Sequence, residues 1–314
     1  MPAAMNPVEN MMRLNFHRGL LSDRVCMESY RKALFKTVQK GDVVMDLGTG
    51  TGILALFALQ AGARRVYAVE SGEIIEVAKA VCRRNDFQDR ITFLKGHSSR
   101  VRLPEKVDLI VSETVGVFGL ERGFLPSVLD SRKRFLKRGG RIVPASVELF
   151  AVPVESPRVY RKISFWSRGL HGLNFSPVRT FAANTLYQEK LDRGDFLSAP
   201  ASLMKLDPLK AVAPAVSGKT MFRIRRGGIL HGIGGWFSAK LAEGIHLQNT
   251  PPVRASGTWG NAFLPVEKPL RVRAGDRVKA KVFWGEDGFT LNWQIDLNGR
   301  RFGHSNLFGF PLPA

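Results

Sequence analysis

Between residues 43 and 70 the chain collects residue types that could hold a nucleotide-like ligand. Asp46 stands two positions before the run Gly48-Thr49-Gly50-Thr51-Gly52, and Glu70, followed by Ser71, ends the next apolar segment. Glycines in a turn let backbone N–H groups approach a ligand closely, and a following helix directs its positive end there. A carboxylate about twenty residues beyond such a turn is placed to hold a ribose diol. The dinucleotide fingerprint G-x-G-x-x-G needs a glycine where Ile53 stands; the spacing here is G-x-G-x-G. A carboxylate at Asp46 would oppose a pyrophosphate but suits the ammonium end of an amino acid. The motif therefore favours S-adenosyl-L-methionine over NAD. A tight glycine turn in a ligand-free sheet is the structural alternative.

The elements that must position these residues can be read from apolar runs and their punctuation. Val43 to Leu47 and Val66 to Val69 are short continuous apolar runs, the signature of parallel strands buried on both faces. Ile53 to Ala61 between them reads as a helix. Glu73 to Asn85 is a second helix, Ile91 to Leu94 a strand leading into Gly96-His97-Ser98-Ser99, and Val107 to Glu113 a further strand. Ligands of open α/β sheets lie beyond the carboxyl ends of the strands. Asp46, Glu70, Ser98, Ser99 and Glu113 all fall there.

Residues 1–42 read as helical, broken at Gly19, with Asp23 or Ser22 as a cap and Val25, Ser29, Leu34 and Val38 on one face. Such a segment ahead of the first strand is either a packing helix or a lid over the ligand. Val128 to Leu136 is a helix bearing Arg132, Lys133 and Arg134, stopped by Gly139-Gly140. Its basic residues fit a solvated face better than a phosphate site. Beyond Pro144 the pattern changes to alternating strands with Gly, Asp or Asn turns, as in 147–154, 221–226, 270–284 and 291–301. The expected fold is α/β: a doubly wound, Rossmann-like sheet followed by an antiparallel β-barrel-like domain. The expected divisions are a helical segment over 1–42, a cofactor-binding domain over 43–144 and a barrel-like substrate or interaction domain over 145–314.

Bulk properties narrow the classes. An apolar content of 44% is ordinary for a globular protein, and no apolar run is long enough to span a bilayer. No membrane partner is expected. Cys26 and Cys82 are too few for a disulfide scaffold, and with no signal-peptide pattern at the start a reducing cytoplasm is the expected location. The net charge is +20, spread over 24 basic and 16 acidic residues in 1–150 and 23 and 11 in 151–314. That field would attract anions, nucleic acid among them, without specifying any.

The segments V-M-D-L-G-T-G-T-G-I-L (44–54), V-Y-A-V-E (66–70) and V-D-L-I-V-S-E-T-V-G (107–116) resemble the protein arginine methyltransferases. Asp23 and Tyr30 match that family's N-terminal helix motif. The stretches 165–176, 196–207 and 257–276 resemble its barrel segments. The resemblance covers nearly the whole chain and implies a role for each matched position. Asp46, Gly48, Thr49, Gly50 and Gly52 would cradle the methionine part of S-adenosyl-L-methionine. Glu70 with Ser71 would hold its ribose, and His97, Ser98 and Ser99 would border its adenine. Two glutamates on one loop would grip a substrate guanidinium by bidentate hydrogen bonds, and Glu113, beside the cofactor, matches the first.

Four positions or segments depart from the pattern. The second glutamate belongs where Arg122 stands, and Glu121 lies one position early. The family's arginine for the cofactor carboxylate is Cys26 here, with Arg24 and Arg31 as candidate substitutes. Thr258 replaces the histidine of the Thr-His-Trp loop, leaving Trp259. The dimerisation segment between Phe175 and Leu191 is short, which leaves the oligomeric state open. The expected activity is methyl transfer to an arginine of a protein substrate, with Glu113 and Glu121 as catalytic carboxylates. Methylation of a small molecule or an RNA-associated target by the same fold, and a catalytically silent scaffold, are the alternatives. His17 and His304 are expected as surface or packing histidines, and Trp284 and Trp293 as core.

Overall fold

The computed structural model describes residues 7–253 and 259–307. The first half consists of α1 (Pro7–Ser22), α2 (Arg24–Thr37), β1 (Val43–Leu47), α3 (Ile53–Gln60), β2 (Arg65–Glu70), α4 (Ile75–Arg84), β3 (Ile91–Lys95), β4 (Val107–Val111), α5 (Phe124–Phe135) and β5 (Leu136–Val143). The strands form a parallel sheet in the order β3-β2-β1-β4-β5. The chain begins at the central strand, builds outward on one side, then returns to build on the other. Between β1 and β4 the order reverses, and in doubly wound sheets that crevice receives the ligand. Every residue of β1 is buried, which explains its unbroken apolar character apart from Asp46.

Three local expectations change. Gly19 does not break the first helix; α1 runs through it to Ser22, and the break falls at Asp23. The Asp23 carboxylate accepts from the Cys26 N–H at 3.0 Å and caps α2. That cap sets the phase of the helix, so its buried face carries Cys26, Tyr30, Ala33 and Leu34, while Val25 is 63% exposed. At the other end of the sheet, Gly139 and Gly140 lie inside β5 rather than stopping a helix. The basic residues of α5 are also partly engaged. Arg132 donates to the carbonyls of Pro208 and Ala211, and Arg134 to that of Ser98.

The second half comprises β6 (Ser146–Val154), α6 (Pro157–Ser164), β7 (Gly169–Leu170), β8 (Leu173–Asn174), α7 (Val178–Ala183), β9 (Tyr187–Glu189), β10 (Ala201–Leu206), β11 (Val216–Arg223), β12 (Gly228–Ala242), β13 (Ile245–Gln248), β14 (Asn261–Val272), β15 (Arg277–Trp284), β16 (Leu291–Leu297) and β17 (Arg300–Ser305). Two antiparallel sheets hold the larger strands. One runs β10-β6-β12-β14-β9 with β13 paired to β12, and the other runs β11-β15-β16-β17. β15 alternates exposed and buried residues throughout, and Trp284 and Trp293 are core residues, as expected.

The sequence reading missed β12, the long central strand. Its four glycines weaken the alternating signal. At Gly235 the reason is packing: a Cβ there would lie 2.4 Å from the Phe118 ring. Phe118 comes from the loop after β4 and also meets Trp284, with ring centroids 5.2 Å apart. The halves therefore share one core. Asn249, fully inside it, donates to the carbonyls of Val117 (2.8 Å) and Gly260 (2.7 Å) and accepts from the Phe237 N–H at 2.9 Å. Lys36 of α2 donates to the Glu243 carbonyl at 2.9 Å, adding a second tie.

Candidate active site

A cavity of about 570 Å³ opens at the carboxyl ends of β1, β2 and β4. Gly48, Gly50 and Gly52 have positive φ values (77°, 54° and 85°), so the turn needs residues without a Cβ penalty. Gly48, Thr49, Gly50, Glu70, Ser71, His97, Ser98 and Glu113 all line the cavity. Eight of the eleven positions expected to bind the cofactor are thus brought together by the fold.

Asp46, Gly52 and Ser99 are not among the lining residues. Asp46 is completely buried beneath the turn. Its Oδ2 accepts from the Thr49 hydroxyl (2.6 Å) and the Ala55 N–H (3.0 Å), while Oδ1 has no partner. Burial pushes its carboxyl up to about 7, against the pull of those two hydrogen bonds. Asp46 shapes the turn from below, which corrects its expected direct contact. Gly52 starts α3 and lets it approach α4; a Cβ there would sit 3.3 Å from Ala78. The Ser99 hydroxyl is turned to His97 Nδ1 at 2.8 Å, on the protein surface.

The Glu70 carboxylate accepts from the N–H groups of Gly50 (3.1 Å) and Gly72 (2.8 Å). It joins the glycine turn to the tip of β2 and keeps lone pairs for a diol. Ser112, at the end of β4, is held from two sides. Its hydroxyl donates to the Leu47 carbonyl (2.8 Å), and its carbonyl accepts from the Tyr30 hydroxyl (3.0 Å). The next residue, Glu113, has a buried Oε1 with no partner. Burial pushes this carboxyl up to about 8, the Arg122 charge pulls it down, and Asp23 adds to the rise.

Glu121 is the main correction. Its carboxylate accepts from the N–H groups of Phe118 (2.7 Å) and Leu120 (3.1 Å), within its own loop. Burial raises its pKa against those bonds, and it does not line the cavity. Arg122 does, stacked over the Phe16 ring of α1. The one-residue offset therefore puts a guanidinium rather than a carboxylate at the cavity wall. Cys26 is buried, and neither Arg24 nor Arg31 reaches the cavity; Arg31 lies over Phe35 instead. Trp259 is buried against Phe237, and Thr258 lies outside the described residues.

The sequence reading missed two walls. Phe16, His17 and Leu20 of α1 line the cavity, and a Cβ on Gly50 would meet the His17 ring at 2.8 Å. Thus α1 does cover the glycine turn, and His17 belongs to the site rather than to the general surface. His304 is a packing residue, stacked on Trp293. The second wall is Glu286, Asp287 and Phe289, from the loop between β15 and β16. The Gly288 carbonyl accepts from the Gly123 N–H at 3.1 Å, docking that loop on the start of α5. Only tertiary structure brings it here, and no local signal marks it.

Comparison with known proteins identifies the family to which this fold belongs. Residues 23–143 match the family described as ribosomal protein L11 methyltransferase, and residues 145–294 match the arginine methyltransferase oligomerization subdomain. Protein arginine N-methyltransferase 6 of Danio rerio is 31% identical over 317 residues, covering 95% of this chain and 90% of the relative. Its Xenopus tropicalis counterpart is 30% identical over 282 residues, covering 86% and 83%. The chain belongs to the protein arginine N-methyltransferase family. Among solved structures, protein arginine methyltransferase 10 of Arabidopsis thaliana superposes with a TM-score of 0.78 at 25% identity, over 92% of this chain and 97% of that one. The Trypanosoma brucei PRMT1 enzyme–prozyme heterotetrameric complex with AdoHcy shares the fold, with a TM-score of 0.81 at 24% identity over 92% and 96%. Both parts of the family's architecture are therefore present.

Proposed function

We propose that this protein transfers a methyl group from S-adenosyl-L-methionine to a guanidinium nitrogen of an arginine in a protein substrate. The observation that carries the reading is the unpartnered, buried Oε1 of Glu113, placed in the same cavity as the glycine turn and Glu70. The residues present fit the donor. Glu70 has acceptor capacity for a ribose, and the Ser98 hydroxyl is buried without a partner in the cavity wall. S-adenosyl-L-methionine supplies an activated methyl group on a sulfonium. The chain's part is to position, to exclude water and to manage charge. Phe16, Leu20, Met27 and Phe289 give apolar cover. Glu113 accepts hydrogen bonds from a guanidinium and draws its positive charge away from the attacking nitrogen. Glu286, exposed on the facing loop, is the further acidic group available to that substrate. A reducing, cytoplasmic setting belongs to the same proposal, in keeping with two free buried cysteines.

Arg122 supports a second reading, in which the acceptor is not a cation, because its charge faces the same space. Transfer of labelled methyl to matched peptides containing arginine, lysine or citrulline separates the two. Labelling of the arginine peptide alone, lost in Glu113→Gln, is the expected result. Labelling of an uncharged acceptor, or full activity in Glu113→Gln, would overturn the first reading.

A further inference from the structure

The outward face of the sheet formed by β11, β15, β16 and β17 has a composition that stability alone does not favour. Along β11 the exposed positions include Lys219, Met221 and Arg223; along β15 they are Arg277, Lys279, Lys281 and Phe283. The register sets Lys219 opposite Lys281 and Arg223 opposite Arg277. Like charges directly opposite one another destabilise a sheet. Among the described residues, none of these five cations has an ion pair or a side-chain hydrogen bond. On the neighbouring strands the face adds Arg301 and, among the described residues, one acidic residue, Asp296, which the register sets opposite Lys279 and which lies 3.7 Å from Arg301.

Cations at every second residue of β15 lie roughly 7 Å apart in a line. Met221 is 55% exposed and Phe283 is 38% exposed, so apolar and aromatic surface is interleaved with the charge. Basic tracks with aromatic platforms are how proteins hold single-stranded nucleic acid without reading its sequence. An acidic peptide would satisfy the charges and leave Phe283 and Met221 unused.

We propose that this sheet face docks a single strand of nucleic acid along Arg277, Lys279 and Lys281 toward Phe283. The ladder leads into the methyl-transfer cavity, because β15 ends at Trp284 and the next loop supplies Glu286, Asp287 and Phe289 to the cavity wall. A polyanion bound there offsets part of the chain's net charge of +20, which otherwise repels a cationic substrate at long range. The docking goes beyond the methyltransferase reading and does not depend on it.

The test is fluorescence anisotropy of the full-length protein with a fluorescein-labelled oligouridylate, titrated over a range of salt. The variants are Lys219→Gln/Lys279→Gln/Lys281→Gln, Phe283→Ala, and a control of equal charge, Arg83→Gln/Arg84→Gln/Lys133→Gln. The expected result is at least a roughly tenfold weaker Kd and a log–log salt slope smaller by about 2 for the sheet triple variant, with the control close to wild type. Phe283→Ala weakens binding without changing the slope. The sheet triple variant also melts no lower than wild type, since a like-charge pair has been removed. Unchanged binding in the sheet variant, or equal losses in the control, would overturn the proposal. So would equal competition by polyglutamate, anionic phospholipid vesicles or blunt duplex. Methyl transfer to a short free peptide is measured in parallel and stays unchanged in the sheet variant. If wild type lacks that activity, the methyltransferase reading fails and the docking result still stands.

Discussion

The Arg122 guanidinium lies 4.7 Å from the centroid of the Phe16 ring, joining the loop after β4 to the helix that covers the glycine turn. Arg122 is the one lysine or arginine among the described residues lining the cavity, at the position where the family resemblance expects a second glutamate. With Cys26 in place of the expected arginine, Arg122 is the side chain able to pair with a donor's carboxylate.

Arg122→Ala is therefore expected to weaken S-adenosyl-L-methionine binding by about tenfold, the size of one charge-assisted hydrogen bond. Methylthioadenosine, which lacks the carboxylate, should bind nearly as before. Calorimetric titration of both ligands checks this. Equal losses for the two would mean that Arg122 acts through its stacking on Phe16.

Methyl transfer should depend on pH through Glu113. The group must be ionised to hold a guanidinium, and in the unliganded protein its carboxyl stands at about 8. Accordingly kcat/KM rises with pH and levels off above about 8. Arg122→Ala moves that rise to higher pH, since the Arg122 charge pulls the Glu113 pKa down. Glu113→Gln should reduce kcat by about a hundredfold or more while leaving donor affinity close to wild type. A flat pH profile would remove Glu113 from the chemistry.

Asp46 links the turn to stability with a definite sign. Its folded pKa of about 7 lies above the unfolded value near 4, so the folded state binds the proton more tightly. The stabilisation is complete below about pH 4 and is lost as pH rises toward 7. Asp46→Asn should flatten the dependence of Tm on pH across that window, and an unaltered slope would place the titrating group elsewhere.

Glu121→Gln should lower stability by roughly 1–3 kcal/mol, because separate carboxylate oxygens serve the two N–H groups and the amide NH2 that replaces one of them cannot accept. Any loss of activity should accompany a lower Tm and be recovered in part on cooling. A full loss of turnover with an unchanged Tm would return Glu121 to direct catalysis.

The first half of the fold was legible because it is written in local terms. β1 and β2 are short apolar runs, the glycines mark the turn, and Glu70 ends a strand. What failed depends on phase and on distance. Val25, expected on one face with Leu34 and Val38, is exposed and Cys26 is buried, because the Asp23 cap fixes where α2 begins. Arg122 rather than Glu121 lines the cavity, a one-residue offset that only the folded loop decides. β12 was hidden by glycines that exist to admit neighbours such as Phe118. The Glu286–Phe289 wall and the His17 contact with Gly50 join parts of the chain far apart in sequence, and no local pattern encodes such meetings.

The buried Asn249 has a consequence for how this protein can be taken apart. Its amide satisfies a carbonyl in the loop that carries Glu113 and Glu121, although Asn249 itself belongs to the second half. A fragment ending at Pro144 would leave the Val117 carbonyl without that donor and Phe118 without Gly235 and Trp284 to pack on. The catalytic half is thus not a separable module. A chimaera that exchanges the C-terminal half between relatives must carry the loop from residue 113 to 121 with it.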